Sequence, residues 1–337
     1  PLGTRELTAD DYIYEIKRLA SPRLHSPILG LMQEYIVGLG ELAERLRKFD
    51  TRKQDWLDLR KHRLEGVEKV DDYTYRVRLK GRYPQFVYWL AMPFFAPVPW
   101  EAEKFFQQPG MAEKNFTLDW WPVGTGAYML TENNPNAKME LARNPNFRGE
   151  PYPAEGEPGD GAAGLLADAG KTMPFVDRVV FSREKESIPY WNKFLQGYYD
   201  SSAIPSDTFD QAVRVSVGGE VGLTPEMEEK GIQLRTSPDT TILYLGVNWL
   251  DEVVGGSSER TRKLRQAIAI AVDWEEFISI FLNGRGKVAH DPLAPGIFGQ
   301  RTGREGINPL THAWDDGRAQ RRPIEDARKL MVEAGYP

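Results

Sequence analysis

The sequence predicts a mixed α/β protein with more than one domain, and three observations carry that prediction. Apolar residues recur at helical spacing in some stretches and at strand spacing in others, and the two patterns alternate along the chain. The chain has 337 residues, more than a single ordinary hydrophobic core accommodates. Hydrophobic residues make up 41%, aromatic residues 11% and charged residues 27%, which is the balance of a folded globular chain.

The first element is a helix. Thr8 precedes ADDYIYEIKRLA, so a capping hydroxyl and the acidic Asp10 and Asp11 stand ahead of Tyr12, Ile16 and Leu19 on one face. A second helix is expected after Pro27, with Leu31, Tyr35, Leu39, Leu42, Leu46 and Phe49 in one stripe and Gly38 and Gly40 weakening its middle. In VDDYTYRVRLKG the period changes to two: Tyr73, Tyr75, Val77 and Leu79 alternate with polar residues, as in a half-buried strand entered from an Asp-Asp turn. Pro93, Pro97 and Pro99 then hold MPFFAPVPW in an extended or turning path.

GAYML and KMELAR read as two strands joined by the polar turn TENNPNA. Residues 151–174 contain five glycines and four prolines, so a flexible surface insertion is expected there. FVDRVVFS reads as a strand, IPYWNKFLQG as a helix, YYDSSAI as a short strand and TILYLGVNW as a buried strand. A helix pair follows. Leu264, Ile268 and Ala271 share a face of the first, Asp273 with Glu276 starts the second, and Asn283 and Gly284 end it. IEDARKLMVEAGYP closes the chain as a helix and turn, and both ends read as those of a fragment.

Composition narrows the function. The net charge is -6 and the basic residues are dispersed, so no patch forms to neutralise phosphates, and nucleic acid is not an expected partner. Without cysteine there are no disulfides, thiolate metal sites or cysteine nucleophiles. His25, His62, His290 and His312 are scattered without ligand spacing, so no metal is expected. Gly170, Lys171 and Thr172 match the end of a phosphate loop, but Leu165 stands where its first glycine belongs. GTGAYM and GRGKVA begin like dinucleotide fingerprints and fail at Met129 and Ala289. No G-x-S-x-G elbow occurs, so neither a cofactor nor a catalytic residue is nominated.

Aromatic residues cluster on segments that also carry Pro or Gly: YWLAMPFFAPVPW, LDWWPVGTGAY and YLGVNW. Rigid aromatic segments offer large contact area at small entropic cost, which suits a binding cleft better than a reaction centre. Core packing accounts for many of them equally well.

The order of these segments resembles the family 5 extracellular solute-binding proteins, the dipeptide and oligopeptide receptors of bacterial ABC importers. The resemblance is carried by LTADDYIYEIKRLASP, VEKVDDYTYRVRLKGRYPQFVYWLAMPFFAPVP, PVGTGAYMLTENNPNAKMELARNPNFRG, PFVDRVVFS, LYLGVN, RKLRQAIAIAVDWEEFISIFLNGRGKVAHDPLAPG and DARKLMVEAGYP. Ala127 departs from the family's usual proline, and GYYDSSAIP is a loose version of its usual motif.

The resemblance implies a fold like that of type II periplasmic binding proteins, with two lobes plus an accessory subdomain, truncated at both ends. Residues 1–118 would be the accessory subdomain of lobe I. Residues 119–246 would be part of lobe I with the insertion at 151–174, and residues 247–337 the start of lobe II. The implied function is that of a monomeric, non-enzymatic receptor, periplasmic or lipid-anchored with its leader removed. It would capture a peptide-like solute and deliver it to ABC permease subunits. Trp120, Trp121, Gly124, Thr125, Gly126, Asn248 and Trp249 are the candidate ligand-binding, cleft or hinge residues. In this reading Gly124 and Gly126 supply unusual torsions and close backbone approach at a tight turn. Trp120 and Trp121 pack or stack, and Asn248 offers donor and acceptor groups at a crossover between lobes. The alternatives are a hydrolase, which would need a carboxylate of perturbed pKa in a pocket with a partner at reacting distance, and a scaffold whose aromatic groove is filled by its own side chains.

Overall fold

A computed structural model describes residues 4–48, 56–215, 221–237 and 239–336. They form two compact units, Pro1–Glu184 and Lys185–Pro337. The subdomain boundary expected at 118/119 lies inside the first unit, and the lobe boundary expected at 246/247 lies inside the second.

In the first unit, α1 (Ala9–Arg18) is joined to its cap through the Thr8 amide, which donates to Asp11 Oδ2 at 3.0 Å. It buries Ile13, Tyr14 and Ile16, with Leu19 at its C-cap, and also the charged Asp11, Glu15 and Arg18, so buried surface runs round most of the helix. The single helix expected after Pro27 is two, α2 (Leu29–Tyr35) and α3 (Leu39–Arg47). Gly38 lies between them at φ 79°, a left-handed torsion that a bulkier residue would resist. The break is also pulled open by pairing. Ile36 bridges Leu79, the Val37 amide donates to Arg78 O at 3.1 Å, and the Lys80 amide donates to Tyr35 O at 2.8 Å. Residues 35–37 thereby extend the ribbon of β1 (Val67–Lys69) and β2 (Tyr75–Val77). Met32, Ile36, Leu39, Leu42 and Leu46 are all 0% exposed, each worth about 1.5–3 kcal/mol of burial. Phe49, expected to complete their stripe, lies outside the described residues.

Short helices α4 (Phe86–Trp89) and α5 (Trp100–Phe106) follow, with Phe86 and Phe95 closing this core edge to face. β3 (Tyr128–Asn134) and β4 (Lys138–Arg143) form the expected hairpin, but Thr131 to Asn134, expected in its turn, continue β3 against β4, so the turn is residues 135–137. β5 (Glu150–Pro151) pairs with β6 (Thr172–Met173) and closes the base of the 151–174 excursion. Gly170 to Thr172 thus run into a strand rather than opening a helix, as a phosphate loop would. β7 (Arg178–Ser182) joins β4, giving the antiparallel order β3-β4-β7.

The second unit has two small cores. α6 (Ser187–Leu195), α7 (Phe209–Ala212), β8 (Val213–Val215), β9 (Val221–Leu223) and α8 (Pro225–Glu229) enclose Trp191, Phe209, Leu223 and Met227. Farther on, α9 (Glu259–Ala271) packs against α11 (Ile324–Glu333), burying Ala267, Ile270 and Ala327. Between them come α10 (Trp274–Phe281) and the hairpin of β10 (His312–Asp315) and β11 (Arg318–Arg321). Asp273 caps α10, accepting from the Glu276 amide at 2.9 Å.

Three local expectations are corrected here. The buried stripe of α9 is Leu264, Ala267 and Ile270, because the partner helix α11 meets that side, and Ile268 is exposed. YYDSSAI forms no strand. Nor does TILYLGVNW: Leu243, Tyr244 and Leu245 are 78%, 82% and 64% exposed. A strand exists only by pairing, and among the described residues nothing pairs with this segment.

Candidate functional site

The seven candidate residues lie in two places, one in each unit. In the first unit, Trp120 and Trp121 end a turn in which the Trp121 amide donates to Thr117 O at 3.0 Å. Both indoles are half-buried, and Trp121 lies 6.3 Å from the Phe116 ring. Residues 122–126 then run exposed into β3.

Gly124 and Gly126 lack the unusual torsions and the close approach that the sequence suggests. Neither has a left-handed torsion, a Cβ on Gly124 would meet nothing within 4 Å, and one on Gly126 would come no nearer than 3.9 Å to Tyr128 O. The segment is held from outside, by asparagines. Asn133 Nδ2 donates to Trp120 O at 2.9 Å, and Asn144 Nδ2 donates to Gly126 O at 2.9 Å. The Asn144 amide also donates to Ala127 O at 2.8 Å, while its Oδ1 accepts from the Asn146 amide at 3.0 Å. Turn-forming asparagines in TENNP and RNPNF were the available signal, but their reach back to residues 120 and 126 is set by the β3–β4 hairpin. Thr125 is exposed.

In the second unit, Asn248 Oδ1 accepts from the Leu250 amide at 3.1 Å, so its acceptor is engaged in a local turn. Trp249 O accepts from the Gly256 amide at 2.8 Å. Gly255 is needed for that closure, since a Cβ there would stand 2.3 Å from Trp249 O. Arg265, on α9, then latches the loop: its guanidinium lies 4.6 Å from the Trp249 ring centroid and donates to Val254 O at 2.6 Å and Gly256 O at 3.0 Å. The Asp251 carboxyl is held below its usual range by the amides of Val254 and Val253. Trp249 itself is 56% exposed, so the loop presents an indole face on a fixed backbone. Such a face can stack on a planar or apolar group.

Two concavities lie elsewhere. One of about 500 Å³ in the first unit is lined by Arg45, Lys61, His62 and Arg63 with Glu41 and Glu65. The other, about 140 Å³ in the second, includes Glu275, His312 and Arg321. Neither contains a candidate residue. Among the described residues, no group of three or more His, Asp or Glu side chains is placed to hold a metal ion, and no helix is long and apolar enough to cross a membrane. Among the described residues, the carboxyl most displaced upward is Glu15, pushed up to about 7 chiefly by burial. It is 5% exposed in the first unit's core, closed to any substrate.

The chain thus forms two compact α/β units, each carrying aromatic side chains on turns held by side-chain hydrogen bonds and a cation–π contact. The chain belongs to the bacterial extracellular solute-binding proteins, family 5 Middle, whose family model matches residues 3–337. It is 32% identical over 337 residues to the periplasmic oligopeptide-binding protein OppA of Escherichia coli, covering 98% of this chain and 49% of that protein. It is 24% identical over 332 residues to the protein of the same name from Salmonella typhimurium, covering 98% of this chain and 49% of the relative. Among solved structures, OppA of Burkholderia pseudomallei superposes with a TM-score of 0.61 at 18% identity, covering 98% of this chain and 52% of that one. The fold is thus that of the type II periplasmic binding proteins of this family. The chain spans about half the length of the curated relatives it matches.

Proposed function

We propose that this chain is part of the substrate-binding receptor of an ABC importer, which captures a peptide-like solute and delivers it to the membrane permease. The observation that carries the reading is the family match over residues 3–337, supported by two relatives whose names specify oligopeptide binding. The receptor is not an enzyme. It works as a monomer in the periplasm or lipid-anchored to the cell surface, its partners are the solute and the permease subunits, and it takes no nucleic acid. Trp120, Trp121, Thr125 and Trp249 are the side chains proposed to meet solute or line the cleft, and Asn248 serves the crossover. Gly124 and Gly126 shape the cleft's edge as unhindered backbone. Solute binding couples to lobe closure because contacts from both lobes coexist only in the closed state.

A thermal-shift screen of the full-length mature protein against peptides of graded length, metal chelates, haem and oligosaccharides tests the reading. A ligand bound only by the native state raises the melting temperature. Peptides are expected to produce the shift; a shift with another class and none with peptides would overturn the ligand assignment, and catalytic turnover of any bound compound would overturn the receptor.

A further inference from the structure

α1 carries an unusual load of buried charge. Asp11, Glu15 and Arg18 are buried on it, and Glu103 of α5 is buried against it. The Arg18 guanidinium donates to Glu15 Oε2 at 2.5 Å and to Glu103 Oε1 at 2.9 Å, so two carboxylates share one cation. Were all three ionised, the core would hold one uncompensated negative charge, which a low-dielectric interior penalises even after relaxation.

The surrounding cations are already engaged. Arg5 is bonded to both Asp11 and Glu101. Lys17 feels the charges of Asp10 and Asp58 while burial lowers its pKa, and Arg60 is bonded to Asp58 at 2.8 Å. Lys69 of β1 bridges Asp10 and Asp72, and Lys104 of α5 lies over Trp56 at 5.3 Å. No apolar residue of the 93–95 turn can supply charge. Arg18 is therefore the cation available to both carboxylates.

The two are not equally served. Glu103 has a second donor, the Tyr14 hydroxyl, bonded to its Oε2, whereas Arg18 is the donor that Glu15 shares with it. Hydrogen bonds to the ionised form stabilise that form, so the proton falls to Glu15. We propose that Glu15 is a reversible proton-binding site that couples the α1–α5 junction to pH: protonated, it leaves Arg18 to Glu103, and ionised, it makes two buried carboxylates share the single Arg18 guanidinium. Burial first, and Glu103 after it, push the Glu15 carboxyl up to about 7 against the opposing pull of Arg18. The folded value lies above the unfolded one, 4.5. The stabilisation is thus fully present below the unfolded value and is lost as pH rises through about 7.

The test compares the 337-residue protein with its Glu15→Gln variant, which keeps the shape and the hydrogen-bonding capacity but cannot ionise. For the wild type, the folding equilibrium constant of the first unit should fall about tenfold between pH 6 and pH 8 from this group alone. Glu15→Gln should lose that part of the pH dependence. Infrared difference spectra should show a protonated-carboxyl stretch in the wild type that bleaches over the same interval and is absent from the variant. Equal pH dependence in both proteins, or no carboxyl band titrating between pH 6 and pH 8, would overturn the proposal. If Glu15→Gln fails to fold, the wild-type infrared titration decides by itself.

Discussion

Gly66 is where the packing of the first unit can be tested most sharply. A Cβ at this position would stand 2.3 Å from Val37 O and 2.9 Å from Val37 Cβ. The neighbour is backbone, so no side-chain rotation relieves the clash. The torsion is not left-handed, so Gly66→Ala costs sterically and not through φ. Relief requires moving the Val37 carbonyl, and that carbonyl accepts from the Gly66 amide at 2.9 Å while Gly66 O accepts from Arg78 at 2.7 Å. Overpacking costs about 1–3 kcal/mol and two weakened backbone bonds about 1 kcal/mol each, so Gly66→Ala should destabilise the first unit by about 3–5 kcal/mol. Gly81→Ala is the control, because a Cβ there meets nothing within 4 Å. Urea denaturation followed by far-UV circular dichroism gives the magnitude, and amide hydrogen exchange over α1 to α3 locates it. If Gly66→Ala were as stable as Gly81→Ala, the junction of residues 35–37 with the β1–β2 ribbon would be wrongly described.

Other substitutions separate the site from its support. Gly124→Ala and Gly126→Ala should each change the urea midpoint by no more than about 0.5 kcal/mol equivalent, since neither Cβ is crowded. The double variant Asn133→Ala/Asn144→Ala should instead raise the protease sensitivity and amide exchange of residues 120–127, with a cost of about 1–3 kcal/mol for two amide hydrogen bonds. Leu42→Ala, at 0% exposure, should cost about 2–5 kcal/mol, whereas Leu250→Ser, at 90% exposure, should leave the denaturation curve in place. His290 gives a pH test in the second unit. Burial, then His312, lower its value below the unfolded 6.5. Its stabilisation is therefore present above pH 6.5 and is lost as pH falls through the folded value; replacing His290 by Asn should flatten the wild-type fall in urea midpoint between pH 7 and pH 5.

Much of the fold was legible where its causes are local. The start of α1 after Thr8, the Asp273–Glu276 start of α10 and the hairpin of β3 and β4 depend on near neighbours and stand where the sequence places them, although the Thr8 link is its amide to Asp11 and the hairpin turn is shorter than expected. The candidate site was legible only as a list of aromatic turns. What orders them is contact over longer range: Asn133 and Asn144 reach residues 120 and 126, and Arg265 reaches Trp249.

The amino-acid order thus determined periodicity, caps, turns and the absence of thiol chemistry, because these depend on neighbours within a few positions. Tertiary structure decided where the helix after Pro27 breaks, which side of α9 is buried, that residues 241–249 find no partner strand among the described residues, and that Glu15 and Glu103 share Arg18. Each of these depends on which distant segment supplies the opposing surface, hydrogen bond or charge, and a one-dimensional pattern does not contain that pairing.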